Sequence, residues 1–209
     1  MELVRFGEGP IRMAVSLRER LSPRLVSALL AAGDRAVTLK LLQRTDIAID
    51  PDRLGELARA SGAADAELRG ALLARRDLPA ATRLHLVEQV AAALRLTRIV
   101  KGAVAPARLE RVMRDAADGA LAAIGENEAG HGRSGYAGSV VASDRVNARV
   151  LLHAAVHGHF LFFADCLAVL SGASRAKVHT LLDSGGLGGL HALMARAGLA
   201  GPMCNLLAR

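Results

Sequence analysis

Six basic side chains fall within twenty residues: Arg95, Arg98, Lys101, Arg108, Arg111 and Arg114, with Glu110 the one acid among them. Positive charge at that density answers phosphate or an acidic protein surface. Arg108, Arg111 and Arg114 are spaced by three, so on a helix they share a side. Arg95 and Arg98 repeat the spacing upstream, and two such helices stacked together would present a positive ridge. The competing reading is a solvated face in a chain that is rich in arginine throughout.

Three other clusters invite chemistry. His153 and His157 stand four apart with His159 just beyond, a spacing that can hold a metal on one helix face. Ala154 follows His153, however, so the general base of a H-E-x-x-H site is absent. A third ligand would have to come from His159, Asp165 or Cys166, and a helix–helix contact explains the histidines as well. Gly130 to Gly135 spells G-x-G-x-x-G, but a helix pattern precedes it and Glu126 and Glu128 would repel phosphate. Asp183-Ser184-Gly185-Gly186 resembles a serine-protease nucleophile segment without the β-barrel frame that chemistry needs, and a helix end explains it. Cys166 and Cys204 have apolar neighbours and no adjacent Lys or Arg to activate a thiolate. Nucleophile, base and orienting group cannot be assembled, so no catalytic residue, cofactor or metal is expected.

The elements that must carry these residues are helices. Of 209 residues 52% are hydrophobic but only 2% aromatic, with no Trp and the single Tyr at 136; Ala and Leu supply the bulk. A β-sandwich or barrel would want more aromatic and β-branched residues at period two. Pro23, Pro51, Pro79 and Pro106 recur at separations of 28, 28 and 27 residues. Ser22 and Asp50 directly precede two of them, the pattern of an N-cap followed by proline at the first helical position. Between the prolines a second helix is expected near 11–18, 38–44 and 68–75, with Gly33-Asp34 and Ser61-Gly62 as turns. Short helix pairs of this kind cannot bury an apolar face alone and are expected to stack as HEAT-like hairpin repeats, an α-solenoid, over 10–124.

Leu109, Val112, Met113, Ala116, Ala117, Ala120, Leu121 and Ile124 form an amphipathic stripe that predicts one long helix. Five glycines between Gly125 and Gly138 predict a linker over 125–142. A compact block of about four short helices is expected over 143–200: one capped by Ser143-Asp144 and running to about His157, one from Phe160 to Ser171, one capped by Ser174, and one from Leu187 to Ala197. The stretch between Arg149 and Arg175 is apolar, but His153, His157, Gly158 and His159 leave a run shorter than the roughly 20 residues of a membrane span, so a buried hairpin is expected. No apolar run follows Met1 as in a signal peptide, and two distant cysteines do not make a secreted scaffold, so the expectation is cytoplasmic.

Two segments resemble the bacterial domain of unknown function 2336, a family of HEAT-like helical proteins. Leu73-Ala74-Arg75-Arg76-Asp77-Leu78-Pro79 is similar to its Arg-x-Asp-Leu-Pro phrase at a hairpin boundary. Leu151 to Leu199 follows the family's order of a helix ending in glycine, a Phe-containing helix ending Leu170-Ser171-Gly172-Ala173, and a closing Ala197-Gly198-Leu199. The likeness covers roughly residues 10–200. Gly158-His159 departs from the family's Gly-Asp, and the chain looks short, as though it kept the later repeats. The resemblance implies a fold and no activity, and it transfers no site residue.

Two functions are expected from these features. The leading one is a non-catalytic adaptor that binds another protein through an extended helical surface. The alternative is a nucleic-acid-binding helical-repeat protein that grips the phosphate backbone with Arg95–Arg114. A net charge of +7 suits the alternative, whereas scarce aromatics weigh against base stacking.

Overall fold

The computed structural model describes residues 8–62, 64–133, 135–184, 186–199, 201 and 205; the side chains of Ser61, Ile99, Val100 and Lys101 are not among those described. Every regular element among them is a helix. The chain divides into two compact units, 1–97 and 98–209. Among the described residues no helix is long and apolar enough to cross a membrane.

The first unit holds α1 (Gly9–Ser16), α2 (Pro23–Ala31), α3 (Arg35–Leu42), α4 (Pro51–Ser61), α5 (Ala66–Ala74) and α6 (Ala80–Leu96). Helix starts follow local chemistry. Ser22 accepts from the Leu25 amide ahead of Pro23, and Asp50 accepts from the Asp52 and Arg53 amides ahead of Pro51. Pro106 also opens a helix at its first position, whereas Pro79 stands just outside α6 as its cap residue. Asp34 and Asp65 cap the second helix of each pair in the same way. Helices α2 and α3 pair, α4 and α5 pair, α1 packs on α3, α3 on α5, and α4 on α6. Val26, Leu29, Leu30, Val37, Leu41, Leu54, Leu72 and Leu86 fill the core between them.

A series of arginines ties the pairs together at their carboxyl ends. One terminal nitrogen of Arg44 donates to the carbonyls of Ser16 (2.8 Å) and Arg18 (2.6 Å), and the other to Glu19 (3.0 Å), while Asp46 holds its Nε at 3.0 Å. Arg75 repeats the arrangement, donating to Leu42 (3.2 Å), Arg44 (2.9 Å) and Ile47 (2.9 Å) with Asp77 on its other edge at 2.8 and 2.6 Å. Arg83 then donates to the carbonyls of Leu73 (2.7 Å) and Arg75 (2.8 Å). Each arginine thus takes the backbone carbonyl of the one before it. The last carbonyls of a helix have no intrahelical partner and carry its negative pole, so a planar fork of donors satisfies several at once.

The second unit holds α7 (Arg98–Ala103), α8 (Pro106–Gly130), α9 (Gly135–Ala142), α10 (Ala148–Val156), α11 (Phe160–Ser171), α12 (Arg175–Ser184) and α13 (Leu187–Arg196). Helix α11 is its centre, touched by α8, α9, α10, α12 and α13, with Phe162, Phe163, Ala164, Cys166 and Leu167 buried. The Glu126 carboxylate of α8 accepts from the Phe162 amide at 2.9 Å, capping α11 from a neighbouring helix. At the other end Gly172 takes φ +66°, the left-handed stop that glycine adopts freely, and Arg196 of α13 donates to the Ser171 carbonyl at 2.8 Å.

Several boundaries correct the expectations. The stretch 125–142, expected as a linker, is mostly helix: α8 runs on to Gly130 and α9 occupies Gly135–Ala142. Glycine inside a helix costs only about 1 kcal/mol, which packing can offset. At Gly125 the reason is visible, because an added Cβ would stand 2.1 Å from the Phe162 ring. The unit boundary accordingly falls before α8 and not after it. The cap of α10 is Asn147, which accepts from the Arg149 and Val150 amides, and not Ser143-Asp144. The last three expected helices match α11, α12 and α13 to within about a residue or two.

Candidate functional site

The six expected basic residues do not lie on one compact unit. Arg95 ends α6 of the first; Arg98, Arg108, Arg111 and Arg114 belong to the second, and the Lys101 side chain lies outside the described ones. What the structure does bring together is Arg108, Arg111 and Arg114, exposed on successive turns of α8. None of the three enters an ion pair among the described residues. Glu110 and Asp115 stand between and beside them, so the local excess of positive charge is small.

The contrast with the first unit sorts the arginines by role. Arg44, Arg53, Arg69, Arg75 and Arg83 all donate to backbone carbonyls, and Arg35 pairs with Asp65 and Glu67. Much of the chain's positive charge is therefore structural. The Arg35 guanidinium and the backbone amides of α5 hold the Asp65 carboxyl down to about 2. Burial acts to raise the Asp77 carboxyl, but the hydrogen bonds and charge of Arg75 outweigh it and leave it below the ordinary value.

The first three turns of α8, residues 106–117, bury only Met113. Val112 is 54% exposed, Ala116 is exposed and Leu109 is half-buried. The packed face of the second half of α8 keeps Leu121 and Ile124 of the stripe and adds Asp118, Ala122, Gly125 and Ala129. The expected apolar stripe is thus divided, with Met113, Leu121 and Ile124 buried, Leu109 half-buried, and Val112 and Ala116 exposed. Hydropathy could not find the packed face, because Asp118 reads as solvent-facing. It is buried because Arg149 of α10 neutralises it, at 2.5 Å from Nε and 3.2 Å from the terminal nitrogen.

The imidazoles of His153 and His157 stack, with centroids 3.9 Å apart and planes 11° from parallel. Among the described residues no three His, Cys, Asp or Glu side chains are grouped to hold a metal. His159 sits at the start of α11 without capping it. Cys166 is fully buried, and burial, with the Asp165 charge beside it, pushes its thiol up to about 12. Cys204 and Ser134 lie outside the described residues. Asp165 is buried next to Arg175, Nε to Oδ1 2.7 Å; burial raises its carboxyl above the ordinary value against the pull of Arg175 and His179. The G-x-G-x-x-G stretch begins on the last residue of helix α8, with no strand before it. A groove of about 810 Å³ lies over Leu42, Ile47, Ala71 and Ala74, rimmed by Asp46, Arg76 and Asp77.

The chain belongs to a family described as an uncharacterised protein conserved in bacteria, domain of unknown function 2336, whose family model spans residues 1–209. No curated protein and no solved structure matches the chain.

Proposed function

We propose that this chain is a HEAT-like helical-repeat adaptor of the cytoplasm, without catalytic chemistry of its own, that binds another protein. The observation that carries the proposal is the open half of α8, where Val112 and Ala116 are exposed and Leu109 is half-buried, beside three arginines that enter no ion pair among the described residues. An apolar strip edged by mixed charge suits a protein surface better than a nucleic acid. The hairpins of the first unit support it: α1, α3 and α5 pack in sequence and the arginine series joins each pair to the last, as an α-solenoid would require.

Binding to a phosphate backbone through Arg108, Arg111 and Arg114 is the second reading. The interleaved Glu110 and Asp115 weaken it, as does the burial of Tyr136, Phe162 and Phe163, which removes them as stacking platforms.

Tagged protein captured from native-host lysate, with and without nuclease, tests the two together. A discrete partner that survives nuclease and is lost with Val112→Glu supports the adaptor. Partners that vanish on nuclease treatment and with Arg108→Glu/Arg111→Glu, but survive Val112→Glu, overturn it in favour of nucleic acid.

A further inference from the structure

His153 of the histidine stack sits where α10 meets α8, with His157 exposed beside it. Gly119 of α8 gives His153 its room, since a Cβ there would stand 3.2 Å from Cε1 and 3.3 Å from Nε2. The buried Nδ1 of His153 has no hydrogen-bond partner among the described residues. Nδ1 of His157 lies 2.9 Å from the His153 carbonyl, which can only accept, so that nitrogen carries the proton and Nε2 is left as the basic one.

The charges around the pair come from three elements. Asp118 of α8 is already engaged by Arg149, Asp115 of α8 is exposed, and His159 follows α10. Helix α11, the other large contact of α10, carries one carboxylate, Asp165, which is paired with Arg175. Burial lowers the proton affinity of His153, the nearby His157 and His159 lower it further, and Asp118 and Asp115 partly offset them.

We propose that the stacked His153 and His157 form an acid-released latch that holds α10 against α8. Two imidazoles 3.9 Å apart can share a stack while one is neutral; when both are charged they repel at contact distance, and the buried carboxylate of α8, Asp118, is already held by Arg149 while Asp115 lies exposed to solvent. Release requires either that the His153 ring leave its place against Gly119 or that Asp118 exchange Arg149 for His153, and both loosen the α10–α8 contact. The sign follows from linkage: because the folded state binds a proton less readily than the unfolded chain, this stabilisation is complete above the ordinary imidazole value of 6.5. It is lost as pH falls below that value.

Hydrogen exchange by mass spectrometry on the full chain at about pH 7.5 and about pH 5.5 reads the latch, with α10 compared in each sample to α13, so that the intrinsic pH dependence of exchange cancels. The α10-to-α13 ratio should rise severalfold on acidification in the wild type. It should rise less in His157→Ala, whose ring is exposed and whose loss removes the second charge, and stay flat in His153→Leu. A flat wild-type ratio, or an equal rise in wild type and His157→Ala, overturns the proposal, and the second comparison stands even where His153→Leu does not fold.

Discussion

Replacing Arg75 with Met keeps most of the side chain's volume and removes its donors. Arg75 is 6% exposed and is the buried rung of the arginine series. Its loss orphans the carbonyls of Leu42, Arg44 and Ile47 and leaves the Asp77 carboxylate without its fork. A charged hydrogen bond contributes about 1.5–3 kcal/mol and a buried carbonyl left unsatisfied costs about 1–3 kcal/mol, whereas Asp77 is exposed enough for water to replace the fork. The bonds are not additive, so the expected loss is about 3–5 kcal/mol, a large part of the roughly 5–15 kcal/mol that holds a typical domain. Urea unfolding followed by far-UV circular dichroism measures it, with hydrogen exchange at the ends of α3 and α5 locating it in the first unit. Arg76→Met is the matched control: the neighbour is exposed and enters no ion pair among the described residues, so its change should stay within about 0.5 kcal/mol. Equal stability of the two variants would refute the view that this arginine joins the hairpins.

Gly125→Ala places a methyl 2.1 Å from the Phe162 ring and should destabilise the second unit by about 1–3 kcal/mol, against the gain that alanine normally brings to a helix; Phe162→Leu in the same chain should return part of the loss. Thermal melts of the two single variants and the double variant check it. Cys166, with its thiol pushed up to about 12 and no exposed surface, should resist alkylation in the folded protein at neutral pH and react once urea unfolds the chain, as residue-resolved mass spectrometry would show.

Local chemistry made the helical class and many helix ends legible in the sequence alone. Ser22, Asp50, Asp34, Gly172 and Gly198 act on the backbone within a few residues of themselves, so their effect does not depend on what packs nearby. The recurring prolines marked the starts of α2, α4 and α8 for the same reason. Only tertiary structure decided which arginines remain available. Arg75 and Arg111 look alike in a string of letters, but one donates to backbone carbonyls some 30 residues away and the other to nothing described. The same holds for α8, where periodicity marked an apolar stripe but partners from α9, α10 and α11 chose the face containing Asp118 and Gly125. Burying a carboxylate becomes tolerable only beside Arg149, and a glycine packs well only under Phe162. Such preferences belong to pairs of residues far apart in the chain, which no local pattern contains.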